Sequence, residues 1–391
     1  VNDFDFELSA RLDALRRQGL SRRLIRIDSA QAAHIVVDGR PMLNFSSNDY
    51  LGLANEPALK EASAEAARAF GAGSGASRLI CGSLAPHAQL EETLAAFKDT
   101  EAALAFSTGY AAGVGTICAL VDHSDIIILD KLVHACIVDA ARLSGAKIRV
   151  FEHNNLADLE EKLKWAADRQ SDKKDQERPG RILVATESVF SMDGDIAPLR
   201  EMARLKQQYG AWLMVDEAHA TGIFGAHRRG MAEELGVSQD IEVQMGTLGK
   251  AIGASGGYIC GSKILVDYLV NRARSFIFST APVPAAAAAA AAGIRLIQSP
   301  QGLERKHLLW QRLAELRPDA ASAIVPVMIG AETKAAEAAA ALRERGLFIP
   351  AIRYPTVARG EARLRVTVTA SHTAADIARL RGELAGLGIS L

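Results

Sequence analysis

Two short segments carry residue types that can act together on one small molecule. Trp212-Leu213-Met214-Val215-Asp216-Glu217-Ala218-His219 is an apolar run that delivers an acid and a histidine at its carboxyl end, where ligands of open α/β sheets bind. Roughly thirty positions later, Met245-Gly246-Thr247-Leu248-Gly249-Lys250-Ala251-Ile252-Gly253 sets one lysine among glycines and small residues, a spacing that suits a neighbouring strand. A lysine amine paired with a buried acid is what pyridoxal 5'-phosphate (PLP) requires. Lys250 would hold the cofactor as a Schiff base and then move protons at a substrate's α-carbon. Asp216 would keep the pyridine nitrogen protonated, so that the ring accepts the electrons of a carbanion. Thr247 can give its hydroxyl to the phosphate. Taken singly, each motif has a plainer explanation, a surface acid at a strand end or a solvated lysine in a glycine-rich loop. The pairing favours the cofactor.

Further candidates surround this pair. Phe106-Ser107-Thr108-Gly109-Tyr110-Ala111-Ala112-Gly113 ends a strand and opens a helix whose first amides and dipole suit a phosphate. His134, in Asp130-Lys131-Leu132-Val133-His134-Ala135, follows another strand and can stack over a pyridine ring, although a lone histidine is more often structural. Two competing motifs fail. Asp216-Glu217-Ala218-His219 spells the acidic box of a nucleic-acid helicase, but that class needs a Gly-x-x-x-x-Gly-Lys-Ser/Thr loop. Here Gly249-Lys250 is followed by Ala251, has Gln244 where the first glycine should stand, and comes after the box. Gly71-x-Gly73-x-x-Ala76 matches a loose dinucleotide fingerprint, yet a helix precedes it where a strand is needed. It reads as a glycine turn that brings backbone close to a ligand.

The elements that must place these residues follow from periodicity. A helical arm over about 5–18 precedes a hairpin in which residues 34–37 and 42–45 flank the turn Asp38-Gly39-Arg40-Pro41. A helix spans 57–70. Helical patterns then alternate with short apolar runs at 102–106, 126–129, 148–151, 182–186, 212–215 and 257–260. That alternation predicts a largely parallel sheet covered by helices on both faces. The polar stretch 169–180 reads as an exposed loop. Beyond an alanine-rich helix, runs at 324–328, 348–352 and 364–369 alternate with helices such as 334–345, which predicts a smaller α/β layer. The expected division is an N-terminal helical arm and hairpin over 1–46, a large domain over 47–284 and a C-terminal α/β domain over 285–391.

Composition narrows the partners. With 391 residues, 49% of them apolar and 23% charged, the chain can bury a large core. Forty-five basic residues against 46 acidic ones leave a net charge of -1, so no overall positive field exists to hold nucleic acid or an anionic membrane. Cys81, Cys118, Cys136 and Cys260 form no Cys-x-x-Cys pair, which argues for buried reduced thiols rather than zinc or a disulfide framework. No metal site is expected. The sequence opens on Asp3, Asp5 and Glu7 without the pattern of a secretory signal, so a cytoplasmic location is expected. Residues 276–294 are uncharged until Arg295 and long enough to suggest a membrane span, but Pro282, Pro284 and weakly hydrophobic alanines predict a soluble helix begun at Pro284.

Several motifs, taken in order, carry a resemblance. They are Asn44-Phe45-Ser46-Ser47-Asn48-Asp49-Tyr50-Leu51-Gly52, Gly71-Ala72-Gly73-Ser74-Gly75-Ala76-Ser77-Arg78, Glu187-Ser188-Val189-Phe190-Ser191-Met192-Asp193-Gly194-Asp195, the Asp216 and Lys250 segments, Arg353-Tyr354-Pro355-Thr356-Val357 and Ala362-Arg363-Leu364-Arg365-Val366-Thr367. Over nearly the whole chain they resemble the α-oxoamine synthase family of PLP enzymes. The resemblance implies a fold type I, α/β transferase: a large domain with a mainly parallel sheet of the seven-stranded type, a smaller C-terminal α/β domain and an N-terminal arm. It also implies a homodimer with active sites at the subunit interface, and a reaction of an amino acid with an acyl-CoA thioester.

Carried over by motif, Lys250 is the Schiff-base lysine, Asp216 the pyridinium partner, His134 the stacking residue and His219 a contact near the cofactor's phenolic oxygen. Thr108, Gly109 and Tyr110 match the phosphate side, and Glu187, Ser191 and Thr247 match further cofactor contacts. Arg353 matches the arginine that binds the substrate carboxylate. Arg22, Asn48 and Thr356 match substrate contacts, with Arg23 and Arg26 competing for the place of Arg22. The implied chemistry is ordered: the amino acid displaces Lys250, loses its α-proton and attacks the thioester carbonyl, and the β-keto acid then loses carbon dioxide. Relatives that use glycine tend to carry threonine at the position of Ser77, which favours L-alanine here; the members most alike join it to a pimeloyl group, on CoA or a carrier protein, in biotin synthesis. Tyr354 departs from the proline expected in those members and is closer to the glycine user 5-aminolevulinate synthase. Glycine C-acetyltransferase typically has an apolar residue at Thr356, and a catalytically silent subunit would lack Lys250.

Overall fold

The computed structural model describes residues 3–171 and 180–391 and folds them as two compact units. The smaller takes the described residues up to Ser47, then Met192–Gly194 and Leu309–Leu391; the larger takes Asn48–Ser191 and Asp195–Leu308.

The smaller unit opens with α1 (Asp3–Arg17), which carries acids in its first turn and Arg16 and Arg17 in its last, as the helix dipole favours. It starts two residues earlier than expected. Strands β1 (His34–Val37) and β2 (Arg40–Asn44) pair antiparallel. Asp38 and Gly39 both have positive φ, 48° and 76°, so the hairpin closes on a two-residue turn and Arg40 and Pro41 belong to the second strand rather than to the turn.

The larger unit contains α2 (Pro57–Phe70), with the expected bounds and a proline in its first turn, and α3 (Ala85–Lys98). There follow β3 (Ala102–Phe106), α4 (Gly109–Leu120), β4 (Ile126–Asp130), α5 (Ala135–Ser144), β5 (Lys147–Phe151), β6 (Ile182–Glu187), β7 (Trp212–Asp216), β8 (Val243–Thr247) and β9 (Gly257–Gly261). They form one seven-stranded sheet of order β3-β9-β8-β7-β6-β4-β5. Only β9 runs antiparallel to its neighbours, so the sheet is mainly parallel. Every residue of β4 and β6 is buried, which is why these strands read as unbroken apolar runs and not as alternation. Ile117, Ile137, Leu183, Met214 and Ile259, from α4, α5 and three strands, pack in one core. The alanine-rich helix Pro284–Gln298 packs on α2 and α3 and belongs to this unit, so the boundary expected near 285 falls after Leu308. Among the described residues no helix is long and apolar enough to cross a membrane. Most of the polar stretch read as a loop lies outside the described residues; up to Ser171 it continues the helix Leu156–Ser171.

The chain completes the smaller unit with β10 (Ile324–Gly330), β11 (Leu347–Phe348), β12 (Ala351–Ile352) and β13 (Ala362–Thr367). β13 lies between β10 and β12, antiparallel to both, whereas β11 runs parallel beside β2. The single strand expected over 348–352 is therefore two strands in two sheets, parted at Pro350, which has no N–H to donate. Of the cysteines, Cys136 and Cys260 are buried, Cys118 is half-buried and Cys81 is exposed, so burial of all four is not observed.

Candidate active site

The carboxyl ends of β6, β7 and β8, the residues after β4 and the amino end of α4 line a cavity of about 180 Å³. It brings together Gly109, Tyr110, His134, Glu187, Asp216, His219, Thr247 and Lys250. Thr108 caps α4, its Oγ1 accepting from the Ala111 amide at 3.0 Å. The first-turn amides of a helix have no intrahelical partner, so this end suits an anion. Its approach to β9 depends on Gly257, where a Cβ would meet Gly109 Cα and Thr108 O, each at 2.5 Å. The Thr247 hydroxyl donates to Gly256 O at 3.0 Å and accepts from the Gly249 amide at 3.2 Å, which fixes the start of the lysine turn.

Two carboxyls share the floor. Asp216 and Glu187 face each other across the β6–β7 register, both buried. Burial raises the pKa of Asp216, against the charge of Lys250 and an amide hydrogen bond from Ala218 at 2.9 Å. Burial, and then the neighbouring Asp216, push Glu187 up to about 8, against Lys250 and the amides of His134 and Ser191. Of the two, Glu187 has the neighbouring carboxylate as the second cause of its rise, so burial beside Asp216 favours its neutral form. Ser191 reaches the site through that backbone amide. Glu187 Oε1 has no hydrogen-bond partner among the described residues.

The imidazoles differ. His134 caps α5, its Nδ1 accepting from the Cys136 amide at 3.2 Å, so the neutral ring carries its hydrogen on Nε2. Desolvation lowers its pKa, outweighing the nearby charge of Asp216, and the ring is neutral at pH 7. His219 stands between two partners, its Nε2 at 2.8 Å from Lys250 Nζ and its Nδ1 at 2.5 Å from the hydroxyl of Tyr50.

The turn that carries Asp216 and His219 is anchored from below. Lys98 Nζ donates to Glu217 Oε2 and to Arg229 O, each at 2.5 Å, and Glu217 Oε1 accepts from the Ala232 amide at 2.8 Å. Both ionic side chains are buried. Neither Lys98 nor Tyr50 was singled out from sequence.

Other candidates lie elsewhere. Arg22, Arg353 and Thr356 line a cavity of about 130 Å³ in the smaller unit, where Arg353 donates to Gly19 O at 2.7 Å. Of the three competing arginines, Arg22 lines it and Arg23 and Arg26 do not. Asn48 accepts from the Tyr50 hydroxyl at 3.3 Å, and Ser77 precedes the π-helical turn Arg78–Gly82 and bridges Thr280; neither lines the Lys250 cavity. A larger cavity, about 530 Å³, lies by the amino ends of β7 and β8, but its lining has no lysine, histidine or cysteine. Among the described residues no cluster of His, Cys, Asp and Glu can hold a metal ion.

An amine, a buried pair of acids, an imidazole and a helix amino end in one cavity fit PLP, and the orphaned Glu187 oxygen marks polar ground that a ligand can satisfy. The family described as aminotransferase class I and II matches residues 40–384. The chain belongs to this family. It is thereby a fold type I, PLP-dependent enzyme, and the resemblance to the α-oxoamine synthases is borne out by its relatives within the family. The 8-amino-7-oxononanoate synthase of Geotalea daltonii is 43% identical over 390 residues, covering 97% of this chain and 97% of that one. The serine palmitoyltransferase of Sphingomonas wittichii superposes with a TM-score of 0.88 at 31% identity, over 98% of this chain and 96% of that one. The 8-amino-7-oxononanoate synthase of Francisella tularensis superposes with a TM-score of 0.71 at 25% identity, over 89% and 98%.

Proposed function

We propose that this chain condenses L-alanine with a pimeloyl thioester, on CoA or a carrier protein, giving 8-amino-7-oxononanoate, the free thiol and carbon dioxide. The observation that carries the reading is the Lys250 amine, in a cavity floored by Asp216 and Glu187 and in contact with His219. Bound PLP supplies an electron sink for the bonds broken at the α-carbon. Lys250 would hold it and move the α-proton, and Asp216 would face the ring nitrogen and keep its proton in place, beside a Glu187 whose burial favours its neutral form. The neutral His134 ring offers a flat face for stacking and an Nε2–H for a substrate oxygen. Gly109 and Tyr110 would receive the phosphate, with Thr108 and Thr247 shaping that end. Arg353 and Arg22, with Thr356, suit a substrate carboxylate.

Ser77 lies outside the cavity of its own chain, which fits a site completed by a second copy in a homodimer. The relatives' name favours the alanine reaction; Tyr354 and the likeness to serine palmitoyltransferase keep a sibling with another amino acid as the second reading. A cytoplasmic location accords with either. Titration separates them. L-Alanine should shift the visible band of the PLP-loaded protein at a much lower concentration than glycine or L-serine, whereas tighter glycine or serine binding would move the chain to another member of the family. Lys250→Ala should abolish the lysine linkage and turnover; turnover at the wild-type rate would sink the mechanism.

A further inference from the structure

The cavity of about 530 Å³ by the amino ends of β7 and β8 lies about 13 Å along the strand from Asp216, which closes β7 at its other end. A space of that volume holds a small organic molecule. Leu120, Ile241, Val243 and Leu265 give it apolar walls, together with the rings of Trp212 and Tyr268. The Tyr268 ring is fixed by its hydroxyl, which donates to Ala119 O at 3.2 Å. Four ionic side chains also line the cavity, and their charges are not equally answered. Asp99 pairs with Arg229 at 2.9 Å, Glu242 pairs with Lys206 and accepts from the Leu213 amide at 2.7 Å, and Glu101 accepts from the Lys263 amide at 2.8 Å. Arg181 differs. Its guanidinium lies over the indole of Trp212, 4.9 Å from the ring centre, and its side chain has no hydrogen-bond or ionic partner among the described residues.

We propose that this cavity binds a small organic acid, with its carboxylate on the Arg181 guanidinium and its apolar body against Leu120, Val243, Leu265 and Tyr268. Contact with an indole steadies a guanidinium without using its N–H donors, and the donors form a planar fork that matches a carboxylate. An anchored fork beside apolar walls recognises both halves of such a molecule: the charge fixes its orientation and burial of its body adds affinity. Glu101, whose partner is an amide and not a cation, disfavours a second negative charge, so a monocarboxylate fits better than a phosphate monoester or a dicarboxylate. This cavity and the Lys250 cavity share no lining residue, so occupation of one leaves the other open and the proposal stands apart from the functional reading.

The test is calorimetric titration of the full-length, PLP-loaded protein at pH 7 with 2-naphthoate and, separately, with 2-naphthamide, its uncharged counterpart. Naphthoate should bind at least about tenfold more tightly than naphthamide, and Arg181→Gln should abolish that preference. Ser238→Trp, which fills the cavity from its lining, should weaken both probes and serves if Arg181→Gln does not fold. Saturating L-alanine should leave the naphthoate affinity unchanged. Equal affinity for the two probes, or naphthoate binding at wild-type strength in the folded variants, overturns the proposal. Displacement of naphthoate by L-alanine would put the probe in the substrate site and overturns it as well. If the protein takes up no PLP, the functional reading fails instead, and the same titrations without the cofactor still decide whether Arg181 holds a carboxylate.

Discussion

Lys98 and Glu217 form an ion pair that neither partner can leave without stranding the other. Burial alone would lower the pKa of Lys98, but Glu217 more than offsets this and keeps the ammonium charged. Lys98→Met should lower the free energy of unfolding by about 3–5 kcal/mol, read as a fall in the urea midpoint, while the added change Glu217→Leu should restore much of the loss. The residues legible from sequence were those whose neighbours in the chain carry the signal: Asp216 and His219 close an apolar run, and Lys250 stands among glycines. Lys98 reads as an ordinary cation in the last turn of a helix, and its partner comes 119 residues later. Tyr50 stands inside a quoted motif, yet only its depth in the fold shows that its hydroxyl must find His219.

At the scale of elements, the amino end of α4 and the strand β9 are set by a missing side chain. Gly257→Ala should force Gly109 and Thr108 away from the strand, at a cost of about 1–3 kcal/mol, and weaken PLP binding at least tenfold in a fluorescence titration, because the phosphate-side amides move with the helix. Unchanged affinity would mean that this approach does not shape the phosphate end. Six of the seven strands of the large sheet announced themselves as apolar runs. β8 did not, since Gln244 and Gly246 interrupt its apolar pattern; in the fold Gln244 is buried with its amide donating to Ser238 O at 3.3 Å. The hairpin turn was read as four residues because Pro41 looks like turn chemistry, whereas Asp38 and Gly39 suffice at positive φ and Pro41 fits on the strand.

For the molecule as a whole, pH acts through a half-buried group away from the Lys250 cavity. His153 bridges Asp130 Oδ1 at 2.9 Å and Asp195 Oδ2 at 2.7 Å, with its ring against the edge of Phe190. Burial would lower its pKa, but the two aspartates raise it to about 10. A folded value above the ordinary 6.5 means that its stabilisation is complete below 6.5 and is lost as pH rises through about 10. The urea midpoint should therefore fall across that window, and His153→Gln should flatten the slope while lowering the midpoint at pH 6.5. A slope unchanged by the substitution would place the loss elsewhere. The division of the chain was only partly legible, because residue spacing cannot show that the arm, the hairpin and the C-terminal strands fold as one unit.

That shared unit orders events during synthesis. β2 meets β11 at Leu43 and Leu347, about 300 residues apart, so the hairpin leaves the ribosome with one edge unpaired and keeps it until most of the chain has been made. The larger unit is continuous from Asn48 to Leu308 except for Met192–Gly194, which belong to the smaller one, and can form first, as a scaffold present before its smaller companion exists. A ribosome stalled shortly after Leu308 would thus hold a chain with every residue of the Lys250 cavity and without Arg353. Cofactor capture would precede, in the life of each molecule, any grip on a substrate carboxylate.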